Sequence, residues 1–239
     1  MHKLGWYVSL LLSVVTLITF GIAIFTTPLS GPFCPGDCFQ YPYTDIISRF
    51  PRDYYWMFFA LFQVLIYLVF MGCLYQWTSP EKKIFGLIGW TFGIGAAVIL
   101  FVDYFVQITV IQPSLLNGET MGISLWTQFN PHGLFIALEE AGYLLMGGSF
   151  AFISRIFTGT NRFYPALRWI FGLGFVLVIF TFVLISIVYG VHREYRFEVF
   201  SLTIDWWVLI GAGILMSRVF ADGRSPAREP ANHRGESHS

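Results

Sequence analysis

The sequence predicts an all-α fold: a polytopic integral membrane protein built as a bundle of six transmembrane helices. Three observations carry that prediction. Apolar residues make up 56% of the 239 positions and charged residues only 12%, which leaves too few polar side chains to coat a water-soluble domain of this size. Six apolar runs are each long enough to cross about 30 Å of hydrocarbon, a distance that takes about 20 helical residues. Aromatic residues gather near many of the ends of those runs, among them Trp6, Tyr54, Trp77, Trp126, Trp169 and Tyr189, as they do where helices meet lipid headgroups.

The first run, Trp6 to Phe25, has too long an apolar core for a secretory signal, and no small-residue cleavage site follows it before the turn region at Pro28 to Pro35. It reads as a retained helix. The second runs from Tyr54 to Leu74. The third, Phe85 to Ile111, is long enough to tilt, and its Gly89-x-x-x-Gly93-x-x-x-Ala97 stripe admits a neighbouring helix at short range. The fourth, Leu134 to Phe157, is entered through Asn130-Pro131-His132-Gly133, with Pro131 at the first turn, where its missing N–H costs nothing. Leu167 to Tyr189 and Phe197 to Val219 complete the set. Trp90-x-Phe92-Gly93-x-Gly95 and Trp169-x-Phe171-Gly172-x-Gly174 open the third and fifth runs alike. A duplicated hairpin or a shared demand for close packing explains the likeness.

Residues 1–220 therefore form the transmembrane domain, with a long outer loop at 28–53 and a polar tail at 221–239 whose composition is that of a disordered segment. Orientation follows from the basic residues, because short cytoplasmic loops hold more of them than translocated loops. With the N-terminus inside, the cytoplasmic side receives ten of the fourteen and the outer side keeps Arg49, Arg52, Arg193 and Arg196. Both termini are expected in the cytoplasm of a cell whose plasma membrane the chain crosses. In the oxidising outer compartment, Cys34 and Cys38 are expected to form a disulfide around Pro35 and Gly36. The stretch from Thr44 to Arg52 mixes Ile46, Ile47 and Phe50 with charges and reads as a short interfacial helix over the mouth of the bundle.

The chemistry is concentrated in acids at one depth. At 1.5 Å per residue, Glu139 lies roughly 12 Å below the outer end of the fourth helix. Asp103, Asp205 and Gln63 fall at that same level on the third, sixth and second helices. Asp103 and Gln107 share a helix face at i, i+4, and so do Glu139 and Tyr143, with His132 two turns above Glu139 as a candidate entry group for protons. Glu139 and Glu140 point about 100° apart, so one faces the cluster and the other an interface. No basic side chain is expected at that depth, and four carboxylates without cationic partners cannot all be ionised together; they share protons or hold a metal cation.

Three functions are compatible with such a cluster, beside a purely structural role in which the acids hydrogen-bond across helices. The best guess is a small proton- or cation-linked transporter or binding protein. A membrane-embedded enzyme using carboxylate acid/base chemistry on a lipophilic substrate is the alternative, with Trp206, Trp207, Tyr143 and Tyr104 offering cation-π faces to an intermediate. The third is an assembly subunit bound to another membrane protein. The lipid bilayer is the one partner expected in every case. No cofactor is identified; a carboxylate set suits protons or a hard cation such as Mg²⁺ or Ca²⁺ better than zinc. Nucleic acid is excluded by a net charge of zero. A retinal Schiff base would need a lysine inside a helix, and Lys3, Lys82 and Lys83 are all at the rim. Haem lacks a pair of facing histidines.

Overall fold

The structure is a computed structural model that describes residues 2–26 and 29–223. Pro28 and the tail from residue 224 onward, where a disordered segment is expected, lie outside the described residues. No strand occurs among the described residues, and six helical segments are long and apolar enough to cross a membrane. The helices are α1 (His2–Ile24), α2 (Tyr55–Trp77), α3 (Lys83–Val106), α4 (Gln112–Leu116), α5 (Ile123–Trp126), α6 (Leu134–Ile153), α7 (Tyr164–Tyr189) and α8 (Tyr195–Ala221). α3 does not stop where the apolar run ends. It continues through a wider π turn at Gln107–Ile111 into α4, so that one span reaches from Pro80 to Leu116. Pro113 supplies a local reason: it has no N–H for the carbonyl one turn back at Thr109, and its ring crowds that position. A widened turn relieves both.

Each long helix packs on its neighbour in chain order, α1 on α2, α2 on α3, α3 on α6, α6 on α7 and α7 on α8, and α8 returns to α1. The ring closes. α6 also meets α8 across the middle, which brings the acid-bearing faces of the two together. Between apolar helices in lipid, close approach and interhelical hydrogen bonds replace the hydrophobic drive. The buried stripe of α1, Gly5, Ser9, Ser13, Thr16 and Thr19, provides both against α8: Ser13 Oγ donates to the Ile210 carbonyl at 2.9 Å. On α6 the demand is steric, because a Cβ on Gly142 would stand 2.5 Å from Cγ of Leu100 on α3.

Large apolar side chains such as Leu17, Val98, Phe180, Val183 and Ile187 face outward all around the ring. That surface suits lipid and would be an aggregation hazard in water, as expected of a multi-pass membrane protein. α1 begins and α8 ends at one end of the bundle, with His2 and Phe220 in ring contact. We call it the terminal end. The other, the loop end, carries the Cys34–Cys38 disulfide, whose Cα atoms are 6.0 Å apart. The expected interfacial helix is a single 3-10 segment, Thr44–Arg49, with Ile46 buried beneath it and Ile47 and Phe50 exposed.

Candidate functional site

A cavity of about 270 Å³ lies near the loop end, where α1 parts from α2, α6 and α8. Most of its wall is apolar, with Phe20, Trp56, Phe135 and Leu202 prominent, and three carboxyls reach it: Asp53, Glu139 and Glu198. Loops close the top. Gly31 makes one of them fit, since its φ of +64° is unfavourable for other residues and a Cβ there would meet the Tyr195 ring at 2.7 Å. Tyr195 Oη donates to the Gln128 carbonyl at 3.0 Å, so its single proton is used and the 2.6 Å bond to Ser30 must be donated by Ser30 Oγ. One tyrosine thus ties the first residue of α8 to both loops over the cavity.

Glu139 and Glu198 form the centre. Both are buried, and their carboxyls are hydrogen-bonded to one another across the meeting of α6 and α8. Two adjacent carboxyls satisfy such a bond only if one of them carries a proton. Tyr104 Oη donates to Glu139 Oε1 at 2.7 Å, and Tyr143 Oη lies 2.7 Å from Tyr104 Oη. Because Tyr104 has given its proton to Glu139, Tyr143 donates to Tyr104. A chain of hydrogen bonds therefore leads from the cavity floor into the bundle.

Below it, Gln63, Tyr67, Tyr104, Tyr143 and Trp206 line a narrow seam. Asp205 is fully buried close to Tyr67 and Tyr143, and neither of its oxygens has a hydrogen-bond partner among the described residues. Gln63 Oε1 and Asp103 Oδ2 are bare in the same sense. Buried acceptors without donors are rare, and here they follow the line of the seam. Asp103 is near enough to Glu139 and Glu198 for their charges to interact, but it does not line the cavity.

The structure thus brings Asp103, Glu139, Tyr143, Asp205 and Gln63 into one interior region and sends three other candidates elsewhere. Glu140 turns away to Arg193, whose Nη2 donates to its Oε2 at 2.9 Å. This corrects the expectation that no basic side chain reaches this level: the arginine before α8 reaches toward α6 alongside Ser186 of α7. Gln107 is buried yet serves the loop, donating to the Trp126 carbonyl and accepting from the Gln128 amide at 3.2 Å. The π turn at Gln107–Ile111 starts at this residue, so a backbone irregularity and a loop anchor coincide. His132 is exposed, and its Nε2 faces Glu194 Oε1 at 3.8 Å instead of Glu139. Its backbone amide bonds to Asn130 Oδ1 at 2.9 Å, which sets the turn before α6.

Two cavity carboxyls were not singled out in the sequence. Glu198 reads there as an interfacial charge beside the expected helix start at Phe197, whereas α8 begins at Tyr195 and turns it inward. Asp53 is 1% exposed and accepts from Arg49 Nε and Arg52 Nε, both at 2.8 Å. Of the expected aromatic faces, Trp206 is buried against Trp56 and Tyr143 while Trp207 is exposed outside the bundle. No three His, Cys, Asp or Glu side chains among the described residues stand together as metal ligands. Neither a family model nor a curated protein nor a solved structure matches this chain.

Proposed function

We propose that the protein is a plasma-membrane, proton-linked carrier or binding protein for a small, partly apolar cation, with both termini cytoplasmic and the cavity in the outer half of the bilayer. The observation that carries the reading is the facing pair Glu139 and Glu198 at the floor of a mostly apolar cavity. A pair sharing one proton has a net charge of minus one, and an incoming cation favours its full ionisation. Loading the cation releases the proton. The cavity volume is at the low end of ligand sites, so the ligand is small, and Trp56, Phe129 and Phe135 in the wall offer aromatic faces to a positive charge. Carriage, beyond binding, is favoured by the seam below, where Tyr104, Tyr143 and the bare Asp205 continue the polar line toward the terminal end. The basic residues of the loops support the orientation.

The test uses purified protein in neutral detergent, lightly buffered, with benzyltrimethylammonium as the cation probe and glucose as a neutral control. Binding is followed by calorimetry and proton release by a pH indicator. Cation binding with release of up to one proton, both lost in Glu139→Gln/Glu198→Gln, supports the reading; failure to bind, or binding with no proton release at any pH, overturns it. A second reading, an enzyme acting on a lipophilic substrate, is favoured by one feature. The cavity wall includes Phe20 and Ile24 of α1 and Val199 and Thr203 of α8, and Ile24 and Val199 are exposed on the outer surface, so this flank is open toward lipid.

A further inference from the structure

A second large cavity, of about 820 Å³, lies at the terminal end between the last turn of α6 and the first turns of α7. Its chemistry is the opposite of the first. Arg155 and Arg168 line it together with Ser154 and Thr158, no Asp or Glu does, and neither arginine pairs with a carboxylate among the described residues. The remainder of the wall is apolar, with Phe157, Leu173 and Val176 running along α7 into the membrane-spanning part. Trp169 stands at the edge, 67% exposed, as an aromatic residue does at headgroup level.

We propose that this cavity binds an anionic phospholipid, its phosphate against Arg155 and Arg168 and the start of an acyl chain along Leu173 and Val176. Guanidinium groups recognise phosphate oxygens in bidentate fashion. The start of α7, where Tyr164 and Pro165 line the same space, adds the positive end of a long helix. Both positive features face one cavity with no acid to neutralise them. The volume far exceeds a bare phosphate, and the apolar continuation along α7 has no use for one; an amphiphile fits both halves. Basic pockets between membrane helices are known to recognise such headgroups. The proposal rests on membrane placement of the chain but not on the acid cavity at the loop end, so its test reads a separate region of the molecule.

The experiment adds lipids to the full-length protein in neutral detergent and follows thermal unfolding and native mass spectra. Phosphatidylglycerol is compared with phosphatidylcholine of the same chains and with inorganic phosphate. We expect phosphatidylglycerol alone to raise the melting temperature by several degrees and to remain bound as a one-to-one adduct. Arg155→Gln/Arg168→Gln should abolish both, and Arg168→Lys should weaken them; the two arginines are exposed, so the fold does not depend on burying them. Equal adducts and shifts with phosphatidylcholine, a full shift with inorganic phosphate alone, or an unchanged response in the double variant would each overturn the proposal. The wild-type lipid comparison decides it even if the double variant fails to fold.

Discussion

Arg193 is the residue whose reach most alters the picture drawn from sequence, because it removes Glu140 from the acidic set and leaves Glu139 to face Glu198. The ion pair is mostly buried, at 29% and 13% side-chain exposure, so breaking it from one side costs more than removing both partners. Arg193→Ala is expected to destabilise the protein by about 1–3 kcal/mol, and Arg193→Ala/Glu140→Gln by clearly less. A double-mutant cycle on melting temperatures in detergent checks this; additive effects would deny the pairing. Gln107 makes a comparable prediction of a different kind. Its side chain holds the Trp126 carbonyl and the Gln128 amide, so Gln107→Leu should speed hydrogen exchange at Gln128 by at least tenfold, the equivalent of about 1.4 kcal/mol of local opening, while exchange in α2 stays as it was.

Helices show where local information suffices. Five of the six spans begin and end within a few residues of the apolar runs, because length and hydropathy are properties of a single segment. The common level of Asp103, Glu139 and Asp205 was legible too, since a fixed rise per residue converts position into depth. Azimuth was not legible in the same way. Gln107 shares a face with Asp103 on an ideal helix, but the π turn beginning at Gln107 rotates everything after it, and the cause, Pro113, lies six residues on. Glu198 was missed because a helix start displaced by two residues turns an interfacial charge into an interior one, and Arg193 because a long side chain reaches past its own loop. Close packing at the level of elements is directly testable. Gly142→Ala pushes a methyl into Leu100 and should cost about 1–3 kcal/mol. Gly21→Ala in α1 meets nothing within 4 Å and should be neutral or gain up to about 1 kcal/mol from helix propensity. Equal effects of the two on thermal unfolding would argue against the α3–α6 contact.

The whole molecule is a ring of helices with an acid-lined cavity near one end and a basic one at the other. If the proposed orientation holds, a membrane-impermeant maleimide applied to intact cells should label Thr120→Cys at the loop end and leave Glu81→Cys at the terminal end unlabelled until the membrane is opened. The reverse pattern would invert the topology while leaving the bundle intact. The wild-type cysteines interfere little, since Cys34 and Cys38 are joined and Cys73 is buried. Proton linkage requires more than placement: it requires that Glu139 and Glu198, carried by two different helices, hold one proton between them. Infrared difference spectra recorded with and without the cation probe measure that directly. The account predicts a protonated-carboxyl band that shifts in heavy water, disappears when the cation binds, and is absent from Glu139→Gln/Glu198→Gln; a wild-type spectrum without such a band, or a band unchanged in the double variant, would contradict it.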